Sequence, residues 1–252
     1  MLIRDVDDGF EVFMLQRTHG AAFAGGMYVF PGGKVDATDG AEALEPFCDG
    51  LNDDNASAIL QIPSGGLAYW VAAIRECFEE AGVLLARNTK TNRTVAFDDD
   101  ATQERFARAR RSVHDSSLNM IELCQRESLR LVTGSIHYVS HWITPVGEAR
   151  RFDTRFFVAD APESQEPLHD SQETIASLWV KPQVALDKLA RGELAMWPPT
   201  SENLKFLASY DTSAEVLAAA KKVSNPVAIL PRLRTNDDGK VIGVIMPGDP
   251  GY

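Results

Sequence analysis

Long apolar runs are absent from this sequence of 252 residues. No stretch approaches the roughly 20 apolar residues that a helix needs to cross a bilayer. The first six residues also lack the basic start and the apolar segment of a signal peptide. We therefore expect a protein that has no membrane partner and is not exported.

Cysteine is scarce as well, with three residues in the whole chain. Cys48, Cys77 and Cys124 are widely spaced and form no CxxC pair. This pattern argues against both a disulfide framework and a cysteine zinc site. It is typical of a reducing compartment, so the expected location is cytoplasmic.

Basic residues are in the minority: 25 Lys and Arg stand against 36 Asp and Glu, which gives a formal net charge of −11. Because nucleic-acid backbones are bound mainly by Lys and Arg, this balance argues against a nucleic-acid partner. A small phosphorylated ligand stays open, since divalent cations and a few arginines can invert the local field. The composition therefore favours a metal-assisted site over a basic patch.

What is present is the composition of an ordinary globular protein, with 44% hydrophobic and 24% charged residues. Apolar periodicity and turn residues predict alternating strands and helices, and hence an α/β fold with helical additions. Strands are predicted at 2–6, 10–16, 27–30, 83–85, 136–144, 152–159 and 175–180, helices at 64–81, 101–114, 118–131, 182–191, 201–210 and 214–222, and a final hairpin at 227–233 and 241–246.

The helix predicted at 64–81 carries three glutamates close together. Glu76, Glu79 and Glu80 are three and four positions apart, with Ser64 as the expected N-cap. Like charges at these spacings repel, and Mg²⁺ is a natural compensator because it takes oxygen ligands from few carboxylates. The alternative is a solvated acidic face, which is common on helices.

The surrounding residues favour the metal. The run Phe30-Pro31-Gly32-Gly33, together with the segment Arg75-Glu76-Cys77-Phe78-Glu79-Glu80-Ala81-Gly82-Val83, resembles the Nudix box. Two features depart from that motif: Asp39 stands where the family has Glu, and residues 40–74 replace a short spacer. A long insertion is tolerable because loop-closure entropy grows only logarithmically with length. The role of Asp39 stays open, and we do not count it as a ligand.

The resemblance implies a Nudix-type α/β/α sandwich with a mixed sheet and helical insertions. It further implies a single domain over residues 1–252. Within it we expect a box insertion at about 40–63, a helical insertion at about 100–132, and C-terminal helices plus a hairpin at about 182–252.

Site roles follow from the same resemblance. Glu79 and Glu80 would bind Mg²⁺, for which Mn²⁺ could substitute, with the Gly33 carbonyl as a further ligand. Glu76 would bind the metal or deprotonate the attacking water, and Arg75 would hold Glu76 in place.

Three residues outside the box are additional candidates. Glu173 is a second candidate base, because some Nudix enzymes place a catalytic Glu in a loop at this kind of position; the alternative is a surface acid. Arg151 and Arg155 would share one face of a strand and present two guanidinium groups to phosphate. Their alternative role is to pair with Asp153 or other acids.

The split box and the segments 140–145 and 151–157 resemble the coenzyme A diphosphatase branch of the family. The expected activity is therefore Mg²⁺-dependent hydrolysis of a nucleoside diphosphate linked to another moiety, with coenzyme A or acyl-coenzyme A as the favoured substrate. An ADP-ribose or dinucleotide pyrophosphatase is one alternative, and a non-catalytic nucleotide-sensing Nudix domain is another. The acidic insertion and the terminal hairpin are plausible elements of a homodimer.

Overall fold

The computed structural model describes residues 1–18, 25–167, 174–224 and 226–252. Its strands are β1 (Leu2–Val6), β2 (Gly9–Arg17), β3 (Tyr28–Val29), β4 (Ala86–Asn88), β5 (Leu129–Leu131), β6 (His137–Ile143), β7 (Asp153–Asp160), β8 (Thr174–Val180), β9 (Arg232–Thr235) and β10 (Val241–Ile245). Its α-helices are α1 (Asp53–Leu60), α2 (Leu67–Glu76), α3 (Asp100–His114), α4 (Met120–Glu127), α5 (Pro182–Ala190), α6 (Pro198–Leu207) and α7 (Ser213–Ala220).

Six of these strands form one mixed sheet in which β2 is central. Val12 of β2 pairs with Ile3 of β1 and with Val180 of β8, so these two strands lie on opposite edges of β2. The short β3 continues the edge occupied by β1. Beyond β1 the sheet continues with β7, which is parallel to β1, and then with β6, which is antiparallel to β7. The predicted hairpin of β1 and β2 is confirmed.

Both faces of the sheet are covered, as alternate side chains of β2 show. Phe13 and Leu15 belong to a core built with helices α1 to α4, whereas Val12 and Met14 belong to a second core built with α5 to α7. Because strand side chains alternate between faces, a strand buried on both sides reads as a continuous apolar run. This arrangement confirms the predicted α/β/α sandwich with a mixed sheet and added helices.

The insertion between the two halves of the box has more structure than the sequence suggested. A 3-10 turn, Ala37–Gly40, leads into it, and it contains a second 3-10 turn, Glu42–Phe47, and the helix α1, which the sequence analysis missed. The Asp53 carboxylate at the start of α1 accepts hydrogen bonds from the backbone N–H groups of Gly65 and Leu67, each at 2.9 Å. The insertion thus caps α2, which begins at Leu67, and the prediction that Ser64 is the cap is wrong.

Two further predicted boundaries are wrong around β4 and β5. Residues 83–85, predicted as a strand, are buried but are not paired with a neighbouring strand. The strand begins only at Ala86. The helix predicted at 118–131 ends at Glu127, because Ser128 adopts a left-handed conformation with φ 54°. The apolar residues that follow form β5, which pairs with β4.

The C-terminal hairpin is present, but its first strand begins later than predicted, at Arg232. The residues before it run along the outer edge of β6, where the Ile229 carbonyl accepts from Ile143 N–H at 2.9 Å and Ile229 N–H donates to the His141 carbonyl at 2.8 Å. In the part of the chain that the structure describes, every helix is too short or too polar to cross a membrane.

Candidate active site

The three glutamates lie where α2 ends. After Glu76 the helix widens into one π turn, Cys77–Ala81, and stops at Gly82 with φ +72°. Wide turns of this kind are frequent at functional sites. Phe78 inside the turn is buried in the core, which fixes the orientation of the turn and leaves Glu76 and Glu79 at the cavity described below.

Arg75 connects this turn to the insertion. Its side chain is only 8% exposed, and its Nε donates to Asp39 Oδ1 at 2.9 Å. Nη1 donates to Glu76 Oε1 at 2.9 Å and to Glu79 Oε1 at 3.0 Å. Nη2 donates to the Lys34 carbonyl at 2.7 Å. One guanidinium thus orients two of the three candidate carboxylates.

The Gly32-Gly33 loop closes against the same turn. Gly32 N–H donates to Glu80 Oε2 at 2.8 Å. A Cβ on Gly33 would lie 2.3 Å from Glu76 Oε1, so the backbone approaches this carboxylate more closely than any other residue would allow. The loop and the helix are therefore in direct contact, although residues 40–74 separate the two halves of the box.

These groups line one cavity of about 1010 Å³. Among the residues that the structure describes, no three His, Cys, Asp or Glu side chains converge closely enough to hold a metal ion as they stand. The donor types nevertheless fit a hard divalent cation, because three carboxylates and the Gly33 backbone line the same cavity. Burial raises the pKa of Glu76 to about 7, while Arg75 opposes the rise and Glu79 adds to it. A cation would relieve this unfavourable burial of negative charge.

Comparison with known proteins identifies a family for this chain. Residues 42–207 match the NUDT19 Nudix domain family, which is well over half of the chain. This chain belongs to that Nudix family. The match begins inside the box insertion, so the Gly33 loop and the first three strands lie before it.

Individual relatives match most of the Nudix chain. It is 27% identical to acyl-coenzyme A diphosphatase NUDT19 of Gallus gallus, over 96% of this chain and 73% of the relative. The protein of that name from Homo sapiens is also 27% identical, over 97% of this chain and 73% of the relative. A NUDIX hydrolase from Alicyclobacillus acidocaldarius superposes with a TM-score of 0.65 at 26% identity, covering 86% of this chain and 92% of that one. The chain is therefore a hydrolase that acts on pyrophosphate bonds, and Nudix hydrolases generally use divalent metals.

The two candidate arginines of this Nudix chain are placed differently. Arg155 lines the cavity, with its guanidinium 4.5 Å from the ring centre of Tyr69 and its Nη1 donating to Asp153 at 2.9 Å. Its buried Nε has no hydrogen-bond partner among the described residues. Arg151 precedes β7, is exposed, and donates to the Thr144 carbonyl. The prediction that Arg151 and Arg155 share one face of a strand is wrong, because the strand begins after Arg151. Arg150 rather than Arg151 lines the cavity.

Glu173 lies outside the described residues, so its candidacy as a base remains a sequence-based prediction. Two residues of α3 contact the π turn Cys77–Ala81, called the Nudix turn below, and were missed by the sequence analysis. Arg110 donates from Nε to the Glu79 carbonyl and from Nη2 to the Glu80 carbonyl, both at 2.9 Å. His114 Nδ1 lies 3.8 Å from Glu79 Oε2. Nothing in the sequence marks these two among the many polar residues of a surface helix.

Asp39 was singled out by the sequence only as a departure from the motif. The structure gives it a definite place: it is 2% exposed and accepts hydrogen bonds from Arg75. It contacts the arginine that orients the glutamates.

Proposed function

We propose that this Nudix hydrolase cleaves the diphosphate of coenzyme A or acyl-coenzyme A with the help of Mg²⁺, for which Mn²⁺ can substitute. The products would be a phosphopantetheine or its acyl derivative and adenosine 3′,5′-bisphosphate. The observation that carries the proposal is the single cavity in which Glu76, Glu79, Glu80 and Gly33 lie together with Arg155. The names of the relatives, which match over most of their own length, support the substrate.

Each residue has a proposed role. Glu79, Glu80 and the Gly33 carbonyl hold the cation, which, when bound, neutralises phosphate oxygens and lowers the pKa of a coordinated water. Arg75 keeps two of the carboxylates in position, and Arg155 contacts a phosphate of the substrate. Glu76 completes the ligand set or accepts the proton of the attacking water, and Glu173 is the second candidate for the proton. These residues act within one Nudix domain spanning 1–252.

The substrate is tested with purified protein and Mg²⁺ or Mn²⁺. We would compare kcat/KM for coenzyme A, acyl-coenzyme A, ADP-ribose and NADH side by side. The proposal predicts that the two coenzyme A compounds are the best substrates. A preference for ADP-ribose or NADH would overturn the substrate assignment, and the absence of turnover with every compound would point to a nucleotide-sensing domain.

The metal assignment is tested by Glu79→Gln and Glu80→Gln, with Glu104→Gln as the control. Glu104 lies on the surface in an exposed ion pair with Arg108, so its loss should leave activity unchanged. Each of the first two variants should lose most activity and bind Mn²⁺ more weakly by electron paramagnetic resonance. Glu76→Gln separates its two roles: weaker Mn²⁺ binding indicates a ligand, and retained binding with lost turnover indicates the proton acceptor.

A further inference from the structure

The cavity has two chemically different ends. One is polar and holds the glutamates of the Nudix turn. The other is formed by the C-terminal hairpin and the segments next to it, and its lining includes apolar side chains that the mechanism does not use, namely Trp142, Pro145, Phe152, Pro231, Leu233 and Val244. Glu148 and Arg150, in the loop between β6 and β7, line the same cavity.

The hairpin is attached at its base over this apolar end. Ile229 pairs with the edge strand β6 through two backbone hydrogen bonds, and the Tyr252 hydroxyl donates to the Leu230 carbonyl at 2.8 Å. Leu233 also packs against the loop after β6, where a Cβ on Gly147 would lie 3.2 Å from its Cδ1. These contacts hold the hairpin as a wall of the cavity.

Two side chains of the hairpin carry the apolar character of this wall. Leu233 of β9 and Val244 of β10 are directly paired across the ladder, so their side chains lie on the same face. Both are half-buried and line the cavity. Val241 and Ile242 of the same hairpin are 47% and 50% exposed and do not line the cavity. The hairpin therefore has an apolar pair directed at the site and a second apolar pair outside it.

Partly exposed apolar side chains inside a cavity remain in contact with water, and a hydrocarbon ligand that covered them would bind favourably for that reason. The polar end of the same cavity is the part proposed to hold the diphosphate. A ligand that fills both ends needs a charged diphosphate joined to a long flexible arm with an apolar tip, which is the chemistry of an acyl-coenzyme A.

We propose that the cavity face of the β9–β10 hairpin is the binding site for the acyl chain, with Leu233 and Val244 as specificity-determining residues. This inference rests on the proposed function, because it names the part of the chain that receives one group of that substrate. It predicts that the hairpin discriminates between free and acylated coenzyme A without taking part in bond cleavage.

The test compares coenzyme A with octanoyl-coenzyme A as probes for the full-length protein loaded with Mg²⁺. The double variant Leu233→Ala/Val244→Ala should lower kcat/KM for octanoyl-coenzyme A by about tenfold or more, as expected when apolar groups are removed from a binding pocket. The value for free coenzyme A should not change. The matched control is Val241→Ala/Ile242→Ala, which removes similar groups from the same hairpin outside the cavity and should leave both substrates unaffected.

A conservative variant, Leu233→Met, keeps the apolar volume and should retain activity toward octanoyl-coenzyme A. The inference is overturned if the double variant changes both substrates in the same proportion, changes neither, or differs in no way from the control pair. Failure of the proposed function has a separate signature, since the unmodified protein would then hydrolyse neither coenzyme A nor its octanoyl derivative.

Discussion

At the scale of single residues, the buried ion pair between Arg75 and Asp39 connects the site to the insertion. The guanidinium is 8% exposed and the carboxylate side chain 1%. A charge buried this deeply is tolerated only with a partner, because removing one partner leaves the other charge uncompensated. The same guanidinium donates to Glu76 and Glu79, so stability and catalysis depend on one group.

Replacing Asp39 should therefore affect both properties. We expect Asp39→Ala to lower the free energy of unfolding by about 3 kcal/mol, the low end of the usual cost of breaking a buried pair, because Glu76 and Glu79 still compensate the charge of Arg75. We also expect a lower kcat, because Arg75 loses one of the groups that hold it in place. Urea unfolding and steady-state kinetics measure the two effects. Asp36→Asn is the control, since Asp36 lies 3.6 Å from Arg75 but is 58% exposed, and should cost at most about 1 kcal/mol. Equal losses in the two variants would contradict the argument.

Gly33 should tolerate no side chain without a loss of activity. In Gly33→Ala the added Cβ would meet the Glu76 carboxylate at 2.3 Å and displace it. A displacement of this size can lower the catalytic rate by about 100-fold, so kcat/KM should fall while the circular dichroism spectrum stays the same. Gly40→Ala is the matched control, because its Cβ would make an ordinary 3.6 Å contact with Ala68. Full activity of Gly33→Ala would show that Glu76 does not occupy the position described.

At the scale of elements, α3 supports the π turn Cys77–Ala81 that ends α2. The last carbonyls of a helix lack partners within it, and a positive side chain at this end also interacts favourably with the helix dipole. Arg110 donates hydrogen bonds to the carbonyls of Glu79 and Glu80 and places its positive charge at this end of the helix. The helical insertion is thereby coupled to the proposed metal ligands.

We expect Arg110→Met to weaken Mn²⁺ binding and lower kcat, because the backbone of the turn loses two charged hydrogen bonds. Arg110→Lys should recover part of the loss. Mn²⁺ titration followed by electron paramagnetic resonance gives a readout that a merely structural role would leave unchanged. Arg108→Met on the same helix is the control, since Arg108 is 62% exposed and among the described residues forms an ion pair with Glu104 alone. If both variants bind Mn²⁺ like the unmodified protein, α3 does not position the site.

The box insertion supports α2 at its opposite end through Asp53. Hydrogen bonds from Leu67 and Gly65 N–H lower the pKa of this carboxyl below its usual value of 3.8. The stability that the Asp53 carboxylate contributes is therefore fully present above pH 3.8, and it is lost as the pH falls through the lower pKa of the folded state. Asp53→Ala should cost about 1 kcal/mol at pH 7, typical of an N-cap.

Chemical unfolding at pH 7 and near pH 3 checks this dependence. The difference between Asp53→Ala and the unmodified protein should shrink at the lower pH, where the carboxylate becomes protonated. Asp54→Ala, the exposed neighbour in the same helix turn, should cost less and vary less with pH. A larger effect at Asp54 would show that α2 is not capped from the insertion.

At the scale of the whole molecule, the two cores on either side of the sheet need no metal. Their apolar residues come from the strands and from all seven α-helices. Chelation should therefore abolish activity and leave the fold intact. Removing the metal should lower the free energy of unfolding by the amount that ligand linkage gives, about 2.7 kcal/mol at a metal concentration 100 times Kd, and the midpoint of thermal unfolding should fall with it. Unfolding on addition of EDTA at 25 °C would instead indicate a structural metal.

The sequence by itself determined the reaction class and most of the architecture. Glu76, Glu79 and Glu80 lie on one helical turn at fixed spacing, and most of the strands and helices are local patterns that the structure reproduces within a few residues, although α1 and β5 were missed. The errors also have local causes. Residues 83–85 are as apolar as a strand, but they are buried without a ladder partner, and burial alone does not specify pairing.

Only the tertiary structure decided which residues surround the turn. Asp39, Arg110 and His114 are remote from Glu79 in the sequence or hidden among other charges, and a side-chain contact over such separations depends on how elements pack rather than on local propensity. The same holds for Leu233 and Val244, whose place in the cavity follows from the pairing of Ile229 with β6. Spacing within an element is set by helix and strand geometry, whereas contacts between elements are set by the packing of two cores on one sheet.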